Sequence, residues 1–122
     1  MINQKMMDPI NYMDIWKVSL PFDSDTHVQG GPRPALIVSN DDVNAYSGVV
    51  TIVPITKSMK RRPVPCNVPL DGFGLRLPSL ALCEQVRTID KRQLCHKIGN
   101  VNDPLKVNEL KNALIAQMNL AA

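Results

Sequence analysis

The sequence is short of the residues that build metal centres and disulfide frameworks. Cysteine occurs three times, at Cys66, Cys83 and Cys95. That is an odd number with no Cys-x-x-Cys spacing, which argues against both a set of disulfides and a zinc site. The reading is of reduced thiols, at least two of them buried in strands. The two histidines, His27 and His96, are far apart in the chain and do not make a metal cluster by themselves. No metal or cofactor is therefore expected. No apolar run approaches the length needed to cross a bilayer, so no membrane association is expected. Met1 to Asn11 holds one lysine and no continuous apolar core, unlike a secretory signal, and the expected location is the cytoplasm. A net charge of +3 is too small to mark a nucleic-acid binder by its size alone. No internal repeat, linker or low-complexity tract is present.

What the chain does have is proline and short apolar runs. With 122 residues it is expected to form one domain over 1–122, with 1–11 as a flexible lead-in. Ten prolines and frequent turn signals cut it into the short segments of a mostly β protein. Trp16, Val18 and Leu20 alternate in a first strand, and Ala35 to Ser39 make a second. The β-branched run Val49 to Thr56 reads as a buried strand, with Pro54 near its end or at an edge. Val64, Cys66, Val68 and Leu70 alternate as a half-buried strand. Leu80 to Val86 supplies the next, and a short one follows around Ile98 to Val101. Asp41 to Tyr46 reads as a short helix capped by Ser39 or Asn40. A longer one opens with Asp103 as cap and Pro104 at its first position, and carries Val107, Leu110, Leu114 and Met118 on one face. The expected architecture is a curved sheet or small barrel of five to seven strands with a C-terminal helix.

One stretch stands out chemically. In "GGPRPALIVSND", residues 30–41, an arginine sits between two prolines where a loop turns into an apolar strand. Pro32 fixes its own φ and Pro34 excludes the α region for its predecessor, so Arg33 is confined to extended geometry. Gly30 and Gly31 let a chain or ligand approach closely. A guanidinium displayed this way loses little entropy when it grips a carboxylate or phosphate. A rigid strand entry with its arginine in solvent accounts for the same residues. Positive charge also gathers in two runs, Lys57, Lys60, Arg61 and Arg62, and then Arg87, Lys91 and Arg92. Solvated loops explain either run taken alone.

"GGPRPALIVSND", "VVTIVPITK" and "LALCEQVRTIDKRQL" follow one another in order, and together they resemble the PemK/MazF family of toxin endoribonucleases. The likeness runs from about Asp14 to the C-terminus. It implies a twisted small barrel related to the SH3 shape. It also implies a homodimer that cleaves single-stranded RNA at short sequences without metal and is neutralised by a cognate antitoxin. Arg33 matches the family's catalytic arginine, Thr56 in "PIT" its catalytic hydroxyl, and Gln85 in "CEQ" a glutamine placed near the RNA. On the residues alone, Thr56 is equally a strand-ending threonine of good β propensity and Gln85 a polar residue on a solvent face. Glu84 reads as a structural partner of Arg87.

In the loop Thr26-His27-Val28-Gln29 the family commonly carries Gly-Ser-Glu-Gln, so no carboxylate is available there. His27, an imidazole in the loop before Arg33, is the candidate proton acceptor, and Gln29 a candidate RNA contact. Lys57, Lys60, Arg61, Arg62 and Arg87 are expected to track the RNA backbone. The few aromatic side chains, 4% of the sequence, leave Tyr46, Phe73 or Trp16 as platforms for unpaired bases, with Trp16 better suited to the core. Two other readings stand beside this one. A non-enzymatic toxin of the same fold that poisons gyrase would lack the matched arginine and threonine, and a catalytically dead binding domain would keep only the barrel.

Overall fold

The β-branched run around Ile52 becomes the strand about which the others are arranged. In the computed structural model, which describes residues 8–57 and 64–120, the strands are β1 (Asp14–Leu20), β2 (Gly31–Ile37), β3 (Val49–Thr56), β4 (Asn67–Leu70), β5 (Ser79–Leu82), β6 (Arg87–Asp90) and β7 (Leu94–Asn100). The helices are α1 (Asp41–Tyr46) and α2 (Pro104–Met118). All pairings are antiparallel, in the order β4-β5-β3-β2-β1-β7. One edge of β3 holds β2, with Ile52–Pro54 against Ala35–Ile37. Its other edge is shared end to end: β6 lies along Val49–Ile52 and β5 along Ile55–Thr56. The sheet twists but does not close among the described residues, so the barrel expectation holds as a curved sheet.

The expected single strand from Leu80 to Val86 is corrected here. A 3-10 turn at Cys83–Gln85 interrupts it, and Arg87–Asp90 forms a separate strand for which no expectation stood. The break separates the segment that pairs with Ile55–Thr56 from the one that pairs with Val49–Ile52. The second strand starts earlier than expected, at Gly31, because Pro32 and Pro34 are extended and pair with β1. The alternating stretch from Val64 becomes strand only at Asn67, since Val64 to Asn67 closes a turn (Asn67 N–H to Val64 O, 2.9 Å). All three cysteines are free thiols, but the expectation that at least two are buried in strands fails. Only Cys83 is buried, Cys66 lies half-buried in the turn before β4, and Cys95 is exposed on β7. Of the lead-in expected to be flexible, 1–7 lie outside the described residues. Ile10 packs against the Trp16 cluster and the Asn11 N–H donates to Asp14 at 2.8 Å.

Strand alternation divides the interior in two. On one face Ile15, Leu36, Val53 and Ile55 meet β4, β5 and the apolar stripe of α2, where Leu110 is fully buried and Val107 and Leu114 pack beside it. Asp103 caps that helix at Leu105 N (3.1 Å) and Pro104 opens it, as expected. Met118, expected on the same stripe, is 51% exposed. On the other face Trp16, Val18, Ala35, Ile37, Val50, Ile52 and Ile89 form a second cluster. Each buried Ile, Leu or Val contributes about 1.5–3 kcal/mol of transfer free energy.

Two polar groups fix the frame. Asn40, not Ser39, caps α1 (Val43 N–H to Asn40 Oδ1, 2.9 Å). Ser39 instead donates to Asn44 Oδ1 (2.6 Å) and accepts from the Thr51 N–H (3.0 Å), tying α1 to β3. Asp14, fully buried, accepts from Asn11 N–H, Trp16 Nε1 (3.2 Å) and Asn100 Nδ2 (2.9 Å) and pairs with Lys97 Nζ (3.2 Å). Breaking such a buried pair costs about 3–5 kcal/mol, because the remaining groups lose their partner without regaining water.

Candidate active site

The two glycines of the opening motif do separate jobs. Gly30 lies so close to the far end of its own loop that an added Cβ would collide with the Pro21 carbonyl. Gly31 has φ +77°, a left-handed turn that admits glycine readily. Together they fold the loop 21–30 back on itself and deliver the chain into β2. There Arg33 pairs with Val18 and shares its face with Trp16, Ala35 and Ile37. The half-buried guanidinium curls back onto the loop, and its Nε (2.9 Å) and Nη2 (2.7 Å) both donate to the Gly30 carbonyl. The stiff arginine is thus held by the turn that precedes it.

Continuing the β2–β3 register two residues past Ala35 and Pro54 sets Arg33 across from Thr56, a buried residue at the end of β3. Arg87 enters on the same face through its pairing with Ile52. Burial, and then the Arg87 charge, lower the Arg33 pKa from its ordinary value. An arginine starts high enough to stay charged at neutral pH. Two guanidinium groups that raise each other's energy make a place where an anion is welcome.

Gln85 closes this side. Its Oε1 accepts from the Gln29 N–H (2.8 Å) and its Nε2 donates to the His27 carbonyl (3.3 Å), so it fastens the loop by its backbone. The break between β5 and β6 gives it that reach, since it ends the 3-10 turn. His27 and Gln29 are therefore brought to the site as loop backbone, with the His27 side chain exposed. Glu84 keeps a structural role, accepting from Asn67 Nδ2 (2.7 Å), and among the described residues no ion pair joins it to the expected Arg87. Trp16 is core, and Tyr46 is 89% exposed at the end of α1, away from these groups. Lys60, Arg61 and Arg62 fall in 58–63 and lie outside the described residues.

Lys57 follows Thr56 onto a groove of about 790 Å³ whose lip is formed by 32–34 and 55–57. The groove also collects Lys17, Arg76, His96 and Lys97, residues to which sequence reasoning assigned no role. The one signal was Lys17, a lone cation between Trp16 and Val18. Among the described residues lining the groove there is no carboxylate. Among the described residues no three of His, Cys, Asp and Glu stand close enough to hold a metal ion.

A small antiparallel sheet presents a tethered arginine, a threonine and a groove that is basic and, among the described residues, free of carboxylates, an arrangement whose charge suits an anion. The chain belongs to the family of PemK-like, MazF-like toxins of type II toxin-antitoxin systems, whose model matches residues 11–118. It is 38% identical over 85 residues to Endoribonuclease EndoA of Bacillus subtilis, covering 66% of this chain and 73% of that protein. It is 35% identical over 94 residues to Endoribonuclease MazF of Staphylococcus saprophyticus, covering 75% and 78%. Among solved structures, the Mycobacterium tuberculosis toxin MazF-mt6 superposes with a TM-score of 0.74 at 26% identity, covering 89% of this chain and 99% of that one. MazF from Deinococcus radiodurans superposes at 0.77 with 20% identity over 92% and 98%, a likeness of fold.

Proposed function

We propose that this chain is a sequence-specific endoribonuclease, the toxin of a toxin-antitoxin pair, which cleaves single-stranded RNA through the RNA's own 2′-OH without a metal ion. The carrying observation is Arg33, held on the Gly30 carbonyl level with Thr56 and beside Arg87. Both curated relatives are named endoribonucleases, which leaves the gyrase-directed alternative without support.

RNA cleaves itself when its 2′-OH attacks the adjacent phosphorus, so orientation and charge neutralisation are the main needs. Negative charge grows on the non-bridging oxygens as the attack proceeds. Arg33, still bonded to the Gly30 carbonyl through Nε and Nη2, offers its remaining N–H groups to those oxygens, and one well-aimed donor of this kind contributes about 3 kcal/mol. Its planar fork matches phosphate better than an ammonium does. Thr56 holds a phosphate oxygen or the attacking hydroxyl. Arg87 adds charge from the same face, Lys57 meets the backbone at the strand end, and His27 in the exposed loop is the candidate proton acceptor. Gln85 positions that loop.

The reading includes a cytoplasmic homodimer and an acidic antitoxin segment that covers Arg33. A solved mycobacterial endoribonuclease in complex with its cognate antitoxin has the same fold. Exposed Phe22 and Val28 on the loop offer apolar anchors for such a partner. The test is digestion of a long RNA in EDTA with both new ends mapped, beside a substrate carrying a 2′-deoxy sugar 5′ of the cut. Cleavage in EDTA that the deoxy sugar blocks supports the proposal. Activity lost in EDTA and restored by magnesium overturns it.

A further inference from the structure

The groove is lined at one end by Arg33 and Thr56 and farther along by residues that alternate to the other face of the same strands. Arg33 and Thr56 belong to the face of Trp16, Val18 and Ala35. Lys17 pairs with Pro34 on one side and His96 on the other, and a residue in strand alternates to the face opposite its neighbour. Lys17, Pro34 and His96 therefore form a row across β2, β1 and β7 on the other face, and all three line the groove. Arg76 reaches the groove from the segment before β5. Lys17, Arg76 and His96 are exposed, whereas Lys97 is engaged with Asp14. The groove begins at the strand ends that carry Arg33 and Thr56, so a chain leaving the site can pass over that lip into it.

We propose that this groove is a second subsite for the RNA backbone, in which Lys17, Arg76 and His96 hold phosphates on one side of the cleaved bond. The proposal rests on the reading of the chain as an RNA-cleaving enzyme. The groove's floor is aliphatic, with Ile55, Leu75 and Ile98 and no aromatic residue among the described lining. Bases gain their sequence-tolerant affinity by stacking on aromatic rings, so such a surface grips backbone and leaves the sequence unread. The subsite thus lengthens the contact with RNA without narrowing the choice of cut.

The test compares wild type with Lys17→Ala/Arg76→Ala on two RNAs bearing the same cleavage sequence, a hexamer and a 24-mer. Binding is measured with a 2′-deoxy sugar at the cut, across a salt series. In wild type the 24-mer should bind and be cut better than the hexamer. In the double variant that advantage should shrink by about tenfold, and the slope of log affinity against log salt for the 24-mer should fall by about 1.4, since each phosphate contact on a single strand contributes about 0.7. Lys17→Glu alone should shrink the advantage further than Lys17→Gln. An unchanged length advantage and salt slope in a folded double variant overturn the subsite while leaving the enzyme reading intact. So does a changed oligomeric state, which would make this face a contact between copies, or equal loss on both RNAs. Failure of wild type to cut either RNA overturns both readings.

Discussion

The two faces of the β2–β3 ribbon hold positive charge in opposite ways. On one, Arg33 is half-buried, bonded twice to the Gly30 carbonyl, and pressed toward Arg87. On the other, Lys17, Lys57 and His96 stand exposed on a shallow groove. A cation that must meet charge growing on one oxygen pays for misplacement in rate, so it is pre-ordered by a turn of its own backbone. A cation that only steadies a flexible polyanion needs neither burial nor a fixed rotamer. The alternation of a strand puts the two kinds a residue apart, and both reach the one groove.

The sharpest way to break this contrast is to remove one cation from each face. Arg33→Ala should lower kcat/KM by about 10²–10³ with the fold retained, and Thr56→Ala should follow it, whereas Lys57→Ala should cost only about threefold. Arg33→Lys should recover little, lacking the planar fork. Initial rates on one substrate, with circular dichroism as the control, check this. Equal losses at Arg33 and Lys57 would erase the distinction between the faces. Gly30→Ala attacks the tether instead. Its methyl group meets the Pro21 carbonyl, so stability should drop by about 1–3 kcal/mol, read by urea melts. Its rate loss should fall between those of Arg33→Ala and Lys57→Ala.

Smaller effects sharpen the picture. Gln85→Ala removes the fastening of the loop, and the Gln29 amide should exchange its hydrogen about fivefold faster, the equivalent of one hydrogen bond of about 1 kcal/mol. Alkylation should label Cys95 first and Cys83 only on unfolding. Burial, then Cys66 and Glu84, push the Cys83 thiol up to about 12. The folded chain therefore holds that proton more tightly than the unfolded one. Stability from this group should be complete below the ordinary thiol value of 9.0 and decline as pH rises toward about 12. Melting temperatures of wild type and Cys83→Ala across that range should converge.

Most of the framework was legible from local chemistry. Val49 to Thr56 reads as a strand because β-branched side chains suit a pleated surface, and Asp103-Pro104 reads as a helix start because each residue satisfies a terminal backbone need. Arg33 stood out between its two prolines, its catalytic role and that of Thr56 came by resemblance, and their register came from the β2–β3 pairing. What stayed hidden depends on long-range packing. The split of Leu80 to Val86 goes with the pairing of β5 and β6 to different ends of β3, which no local run of residues encodes. The same split turns Gln85 toward a loop 56 residues earlier in the chain. Lys17, Arg76 and His96 come together only once β1 and β7 pair, and nothing in their separate surroundings announces it.

The shared edge of β3 also has a meaning for the order in which the protein is made. Thr56 is synthesised early, yet the strand that carries it gains its second neighbour from residues 79–90. Arg87 and Gln85, which charge the site and fasten its loop, arrive in the same late segment. Contacts so distant in sequence must await closure of a long loop. A ribosome producing this chain therefore carries an incomplete site until residues 79–90 have emerged, and only then can Arg33, Thr56, Gln85 and Arg87 come together. That delay would leave a neutralising partner time to be present before the first working copy exists.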